Sequence, residues 1–197
     1  MTESTQESPS VATMPDENRA QDYDPAILAN RLRQRMAFAS TGVELYDSIL
    51  TRFEGAMAPP TSEVVSMEVL RRFREEQAQR VALLETILAE LGVNPSVPPS
   101  PADDSLLAAM GLPRVIQEPQ TTELQCLEAA QLAEFSDNTA WENLQELCLG
   151  MGLSNVIARF SKPLSQGKIH QEKLTDWIAR ILLARAKRSI RPQARQG

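Results

Sequence analysis

The sequence has a single histidine, His170, and two cysteines, Cys126 and Cys148. One histidine rules out a metal site built on paired imidazoles, and any Ser-His or Cys-His dyad would have to use it. The cysteines stand 22 residues apart on what reads as one helix. At ~1.5 Å of rise per residue they lie too far apart to bond, so both read as reduced core thiols. No apolar run approaches the ~18 residues needed to cross a bilayer, and the first thirty residues are acidic and polar where a signal peptide would need an apolar stretch. No membrane span is therefore expected, and the cytoplasm is the default compartment. A Walker-type loop, a Gly-rich dinucleotide turn and a Cys-x-x-Cys pair are also missing, which removes the common nucleotide, redox and zinc readings. Aromatics make up 5% of the chain and glycines number eight. Ala, Leu, Glu, Gln and Arg dominate the middle instead, a composition that favours helices and predicts no strands.

A chain of 197 residues with 42% hydrophobic content can bury one substantial core. The net charge of −6 hides an asymmetry: residues 1–24 carry six acids against Arg19, whereas residues 183–197 carry Arg185, Lys187, Arg188, Arg191 and Arg195 with no acid. With no global basic field and no aromatics among those C-terminal cations, nucleic acid is not an expected partner. The composition divides the chain into an acidic, disordered segment over 1–24, a helical domain over 25–189 and a flexible basic tail over 190–197.

The helical period begins at Asp24-Pro25, an N-cap followed by proline at the first helical position. The first helix carries a seam of Leu28, Leu32, Met36, Ala39, Val43, Tyr46, Leu50 and Phe53, in alternating steps of four and three. A second helix opening at Thr61-Ser62-Glu63 carries Leu70, Phe73, Gln77, Arg80 or Val81, Leu84, Leu88 and Leu91 before Gly92 closes it. Residues 93–120 hold six prolines and a short apolar stretch, Leu106 to Leu112, able to form one or two helical turns. A third helix from Thr121-Thr122-Glu123 has an unusually polar inward line: Leu124, Leu127, Gln131, Glu134, Asn138, Trp141, Gln145 and Cys148. The fourth runs from about Ser154 toward Ser189, with Pro163 and Gly167 predicting a kink in its first third and Leu174, Trp177, Ile178 and Ile181 on its later apolar face. Two short-linked helix pairs joined by one long crossover make an all-α four-helix bundle of ferritin-like connectivity.

The halves echo each other. A 95-residue shift brings Ala39 onto Glu134 and Tyr46-Asp47 onto Trp141-Glu142, and a 90-residue shift brings Gln77 onto Gly167 and Arg80 onto His170. The stretches Met36-Ala-Phe-Ala-Ser-Thr-Gly-Val-Glu-Leu-Tyr46, Phe73-Arg-Glu-Glu-Gln-Ala-Gln-Arg-Val-Ala-Leu-Leu84 and Leu127-Glu-Ala-Ala-Gln-Leu-Ala-Glu-Phe-Ser-Asp-Asn138 resemble a bacterial ferritin-like family of di-iron carboxylate type, over roughly residues 28–182. In metal-binding members of such a family, helices 1 and 3 each supply a Glu, and helices 2 and 4 each supply Glu-x-x-His. Carried over position by position, the resemblance implies Ala39 on helix 1, Gln77 and Arg80 on helix 2, Glu134 on helix 3, and Gly167 and His170 on helix 4. Two of the six ligand types remain, Glu134 and His170. One carboxylate and one neutral imidazole cannot balance the roughly four positive charges of two metal ions.

Glu134 alone in a closing core would be costly, and Arg80 is the inward cation that the same geometry supplies. The sequence therefore suggests a buried Glu134–Arg80 ion pair, joined by His170, with Gln77, Gln131 and Asn138 completing its hydrogen bonds. The competing arrangement has Arg80 extending along the groove to water beside a partly buried Glu134. Glu75-Glu76 would reach the axis only in a shifted register.

The function expected on this resemblance is non-enzymatic: a ferritin-like bundle with a degenerate, metal-free site and no cofactor, acting as a binding or scaffold protein for an unidentified protein partner or by self-association through helix faces. One alternative is a metalloprotein that still binds iron, manganese or another ion through Glu134, His170 and Glu128 or Glu172. Another is an adaptor acting through the charged ends.

Overall fold

The structure, a computed structural model, describes residues 24–98 and 111–189. The acidic segment up to residue 23, the basic tail from residue 190 and most of the stretch Leu106 to Leu112 lie outside the described residues. Four long helices dominate: α1 (Pro25–Ala56), α3 (Met67–Glu90), α5 (Glu123–Gly150) and α7 (Ser161–Ser189). Among the described residues, short helices sit between them: α2 (Thr61–Val64), α4 (Leu112–Gln117) and α6 (Ser154–Ala158). There is no strand among the described residues.

Local chemistry sets the ends of these helices. Asp24 accepts the Ala26 amide at 2.9 Å ahead of Pro25. Thr122 and Gln125 form a reciprocal capping box at the start of α5, each side chain taking the other's backbone N–H, at 3.3 and 2.9 Å. Gly92 and Gly152 adopt φ of 70° and 71°, the left-handed conformation in which a side chain is strained. At each, the next amide turns back onto the helix, Val93 to the Leu88 carbonyl and Leu153 to the Cys148 carbonyl, both at 2.9 Å. Two predicted boundaries are corrected. The second long helix starts at Met67, because Thr61–Val64 forms a separate turn and Ser66 caps α3 by accepting the Val69 amide at 3.3 Å. The break after Gly152 falls at Arg159-Phe160, so Pro163 occupies the first turn of α7, where no intrahelical partner is lost, and Gly167 lies within an unbroken helix.

The core is divided in two along the bundle. One cluster joins Phe38, Tyr46 and Ile49 of α1, Leu70 and Phe73 of α3, Leu127 and Ala130 of α5, and Leu174, Trp177 and Ile181 of α7. The other joins Leu28 and Leu32, Leu84 and Leu88, Trp141 and Leu144, and Phe160 just ahead of α7. Residue numbers rise from the second cluster to the first along α1 and α7, and from the first to the second along α3 and α5. Thus α1 and α3 are antiparallel, α5 and α7 are antiparallel, and α3 and α5 run in the same direction. The connection from α3 to α5 must therefore return the full length of the bundle. Its end is clasped by Arg52, whose guanidinium donates to the carbonyls of Ile116 (3.0 Å), Glu118 (3.1 Å), Pro119 (3.0 Å) and Thr121.

Inward faces are broader than the predicted seams. On α1 the buried set includes Arg35, Phe38, Gly42, Leu45 and Ile49, while Met36 and Val43 are half-buried. On α3 it is Arg80, not Val81, that faces inward, and Leu91 is exposed. On α5 Gln131 and Gln145 are half-buried and Asp137 is fully enclosed. Cys126 and Cys148 are free and buried, and burial pushes the Cys148 thiol up to about 11. Both act as small apolar side chains. None of the helices among the described residues is long and apolar enough to cross a membrane.

Candidate functional site

Between the two apolar clusters lies one polar layer, contributed by all four long helices: Arg35 from α1, Gln77 and Arg80 from α3, Glu134, Asp137 and Asn138 from α5, and His170 from α7, all buried. Helical spacing explains the grouping, because residues three or four apart share a face: Gln77 with Arg80, and Glu134 with Asp137 and Asn138. Such a layer costs desolvation unless its charges are matched.

Two carboxylates and two guanidiniums provide the match. Asp137 bridges Arg80 and Arg35, with Oδ2 at 2.5 Å from Arg80 Nη1 and Oδ1 at 2.7 Å from Arg35 Nη1, and Trp141 Nε1 donates to Oδ2 at 3.2 Å. Glu134 Oε1 takes three contacts: Tyr46 Oη donates at 2.7 Å, Gln77 Nε2 donates at 3.0 Å, and His170 Nδ1 lies at 3.0 Å. Arg80 Nη1 is 3.6 Å from Glu134 Oε2. Its Nη2 points the other way and donates to the Pro163 carbonyl at 3.4 Å. Arg80 and Glu134 are each 1% exposed, so the guanidinium does not run out to water.

His170 is held on three sides. Its ring lies over Phe73 with centroids 3.8 Å apart and a 30° tilt, Nδ1 faces Glu134, and Nε2 is 2.5 Å from Glu76 Oε2. Glu76 is half-buried and links this end of the network to solvent.

Electrostatics follow the contacts. Burial raises the pKa of Glu134, but the hydrogen bond and charge of His170, the charge of Arg80 and the Tyr46 hydroxyl outweigh it and bring the carboxyl down to about 2. Burial, reinforced by Glu134, pushes the Tyr46 phenol well above its ordinary value. Burial also pushes Asp137 upward, while Arg80, Arg35 and Trp141 pull against it.

The six positions carried over from the resemblance are all buried, but their environments differ. Glu134, His170, Gln77 and Arg80 meet in the network above. Ala39 contributes only its methyl group to the α1 face. Gly167 serves a packing purpose: a Cβ built there would stand 1.8 Å from Asn138 Oδ1 and 2.8 Å from its Cγ, so the missing side chain leaves the room that Asn138 occupies. A Gly167→Ala variant is accordingly expected to lose about 1–3 kcal/mol by overpacking in urea denaturation, most of it recovered on adding Asn138→Ala. Equal losses in the single and double variants would disprove the clash.

Other candidates fall away from the layer. Glu128 and Glu172 are exposed, outside the buried layer that holds Glu134 and His170. Gln131 does not reach the network; its amide donates to Thr175 Oγ1 at 2.6 Å nearer the surface. Glu75 is exposed, whereas Glu76 touches His170 without any shift of register. Sequence reasoning missed Asp137 and Arg35. The signal was present, since Asp137 follows Glu134 by three and Arg35 precedes Ala39 by four, each on the face already taken as inward. Among the described residues no group of three or more His, Cys, Asp or Glu side chains is placed to hold a metal ion.

No protein-family model and no curated protein matches the sequence. Among solved structures, the chain is similar to a ferritin-like, diiron-carboxylate protein from Bacillus anthracis str. Ames, with a TM-score of 0.59 and 12% identity over 82% of this chain and 98% of that one. At that identity the likeness establishes the fold: the chain is a ferritin-like helical bundle.

Proposed function

We propose that the bundle is held together at its centre by a charged side-chain network in place of a di-metal centre, and that the protein is a non-enzymatic binding or scaffold protein. The observation that carries this reading is the Arg80 guanidinium, fully buried between Asp137 and Glu134. A dinuclear centre requires several carboxylates facing cations they do not yet neutralise. Here Asp137 is already matched by Arg35 and Arg80, Glu134 Oε1 is saturated by Tyr46, Gln77 and His170, and Glu134 Oε2, which has no hydrogen bond, faces the Arg80 guanidinium at 3.6 Å. Arg80 and Gln77 stand at two of the positions where the family pattern has ligands, and Gly167 leaves its space to an amide. The donor set does not fit the group. A scaffold role also agrees with an interior given over to charge pairing between the helices, which leaves the helix faces for partners.

The test is metal content after purification without chelator, followed by challenge with ferrous iron, manganese and zinc beside a Glu134→Ala control. No metal above the control is expected. Stoichiometric metal that disappears with Glu134 would restore a metal-handling or oxidase role.

A further inference from the structure

Arg80 also has an outer side. Its Nη2 faces away from the two carboxylates toward the first turn of α7, and its Nε is buried without a hydrogen-bond partner among the described residues. On that side a pocket of about 190 Å³ is lined by Gln79, Arg80 and Leu83 of α3, Arg159 in the turn before α7, and Lys162, Pro163 and Gln166 of α7. Three cations and two amides line it, and no carboxylate does. Arg80 is matched from the bundle interior, and Arg159 pairs with Glu90 at the rim. Lys162 donates to Gln79 Oε1 at 3.1 Å and has no carboxylate partner among the described residues, so the excess positive charge of the pocket sits at its mouth.

We propose that this pocket binds a small oxyanion, a phosphate group or a short dicarboxylate. Lys162 and Arg159 would meet the charge, the Gln79 and Gln166 amides would donate to the remaining oxygens, and the enclosed Arg80, its charge already matched by Asp137 and Glu134, would close the inner wall. The start of α7, a helix of 29 residues, adds the partial positive charge of its N-terminal turn in the same place. A lining with three cations, two amides and no carboxylate suits a ligand rich in acceptor oxygens better than a neutral one. Bound there, an anion would bridge α3 and α7 just outside the buried network and couple ligand occupancy to bundle stability. The inference stands whether or not the layer behind it holds metal.

Titration calorimetry with inorganic phosphate and, separately, malonate, at constant ionic strength, tests this on the full chain, with thermal melts in parallel. Lys162→Gln and Arg159→Gln remove charge at the mouth and leave the buried layer intact. Binding of either probe, a rise in Tm on saturation and a roughly tenfold weakening in each variant are expected. Phosphate alone would mark a phosphate ligand, and malonate alone a carboxylate one. Failure of both probes to bind, or equal binding by wild type and variants, would overturn the site.

Discussion

Replacing Arg80 with leucine is expected to cost about 3–5 kcal/mol, the loss typical when one partner of a buried charge network is removed. Leucine fills much of the same volume, so the loss comes from what stays behind. Asp137 keeps Arg35 and Trp141 but loses its 2.5 Å contact, and Glu134 Oε2, already without a hydrogen bond, loses the cation 3.6 Å away. Against a total stability of roughly 5–15 kcal/mol for a domain of this kind, the variant sits near the edge of folding. Urea denaturation followed by circular dichroism measures it, and Arg80→Lys supplies a milder variant that keeps the charge but not the planar fork. Combining each with Asp137→Asn completes a cycle in which a coupling of about 0.5–3 kcal/mol is expected. A loss below ~1 kcal/mol for Arg80→Leu, or additive single and double variants, would mean that the guanidinium is solvated and the layer is not a closed network.

The bundle was legible because its signals are local and repeated. The N-cap at Asp24, the capping box at Thr122 and the left-handed glycines after Leu91 and Met151 each act within a turn of chain, and the alternating three-four spacing names an inward face without tertiary knowledge. The meeting of Glu134 with Arg80 and His170 was legible for the same reason, since a helix face plus an internal repeat brings all three to one level of the axis. What could not be read was the stoichiometry of the charges. A seam written as one residue per turn leaves out the flank, and Arg35, Asp137 and Glu76 lie on flanks. Whether an arginine at the edge of a seam points in or out depends on whether a carboxylate from another helix is waiting. That is a contact 102 residues distant for Arg35 and Asp137. Gly167 shows the converse limit: read as a weakness in the helix, it is a vacancy matched to Asn138, a fit that only the packed structure reveals.

The acid side of the stability profile offers the second large effect. Glu134 is lowered to about 2 in the folded chain, against an ordinary value near 4.3 once unfolded. A carboxyl with a depressed folded pKa stabilises the fold above its unfolded pKa, and that contribution is lost as pH falls through the folded one. Glu134→Gln keeps the shape and removes the charge. At pH 7 it should be less stable than wild type by on the order of 3 kcal/mol, and the gap should close as pH falls from about 4.5 toward 2. Asp137 works in the opposite sense: its upward push is present in both proteins, and removing the Glu134 charge relieves part of it. This trims the gap at neutral pH without reversing its slope. Subtracting one profile from the other also cancels the surface carboxylates, which titrate in both. Denaturant midpoints measured at half-unit steps from pH 7 to the acid limit give the comparison directly. A gap that stays flat across this window, or widens on acidification, would show that Glu134 is not held ionised by Arg80 and His170, and with it the charged layer would lose its part in holding the centre of the bundle together.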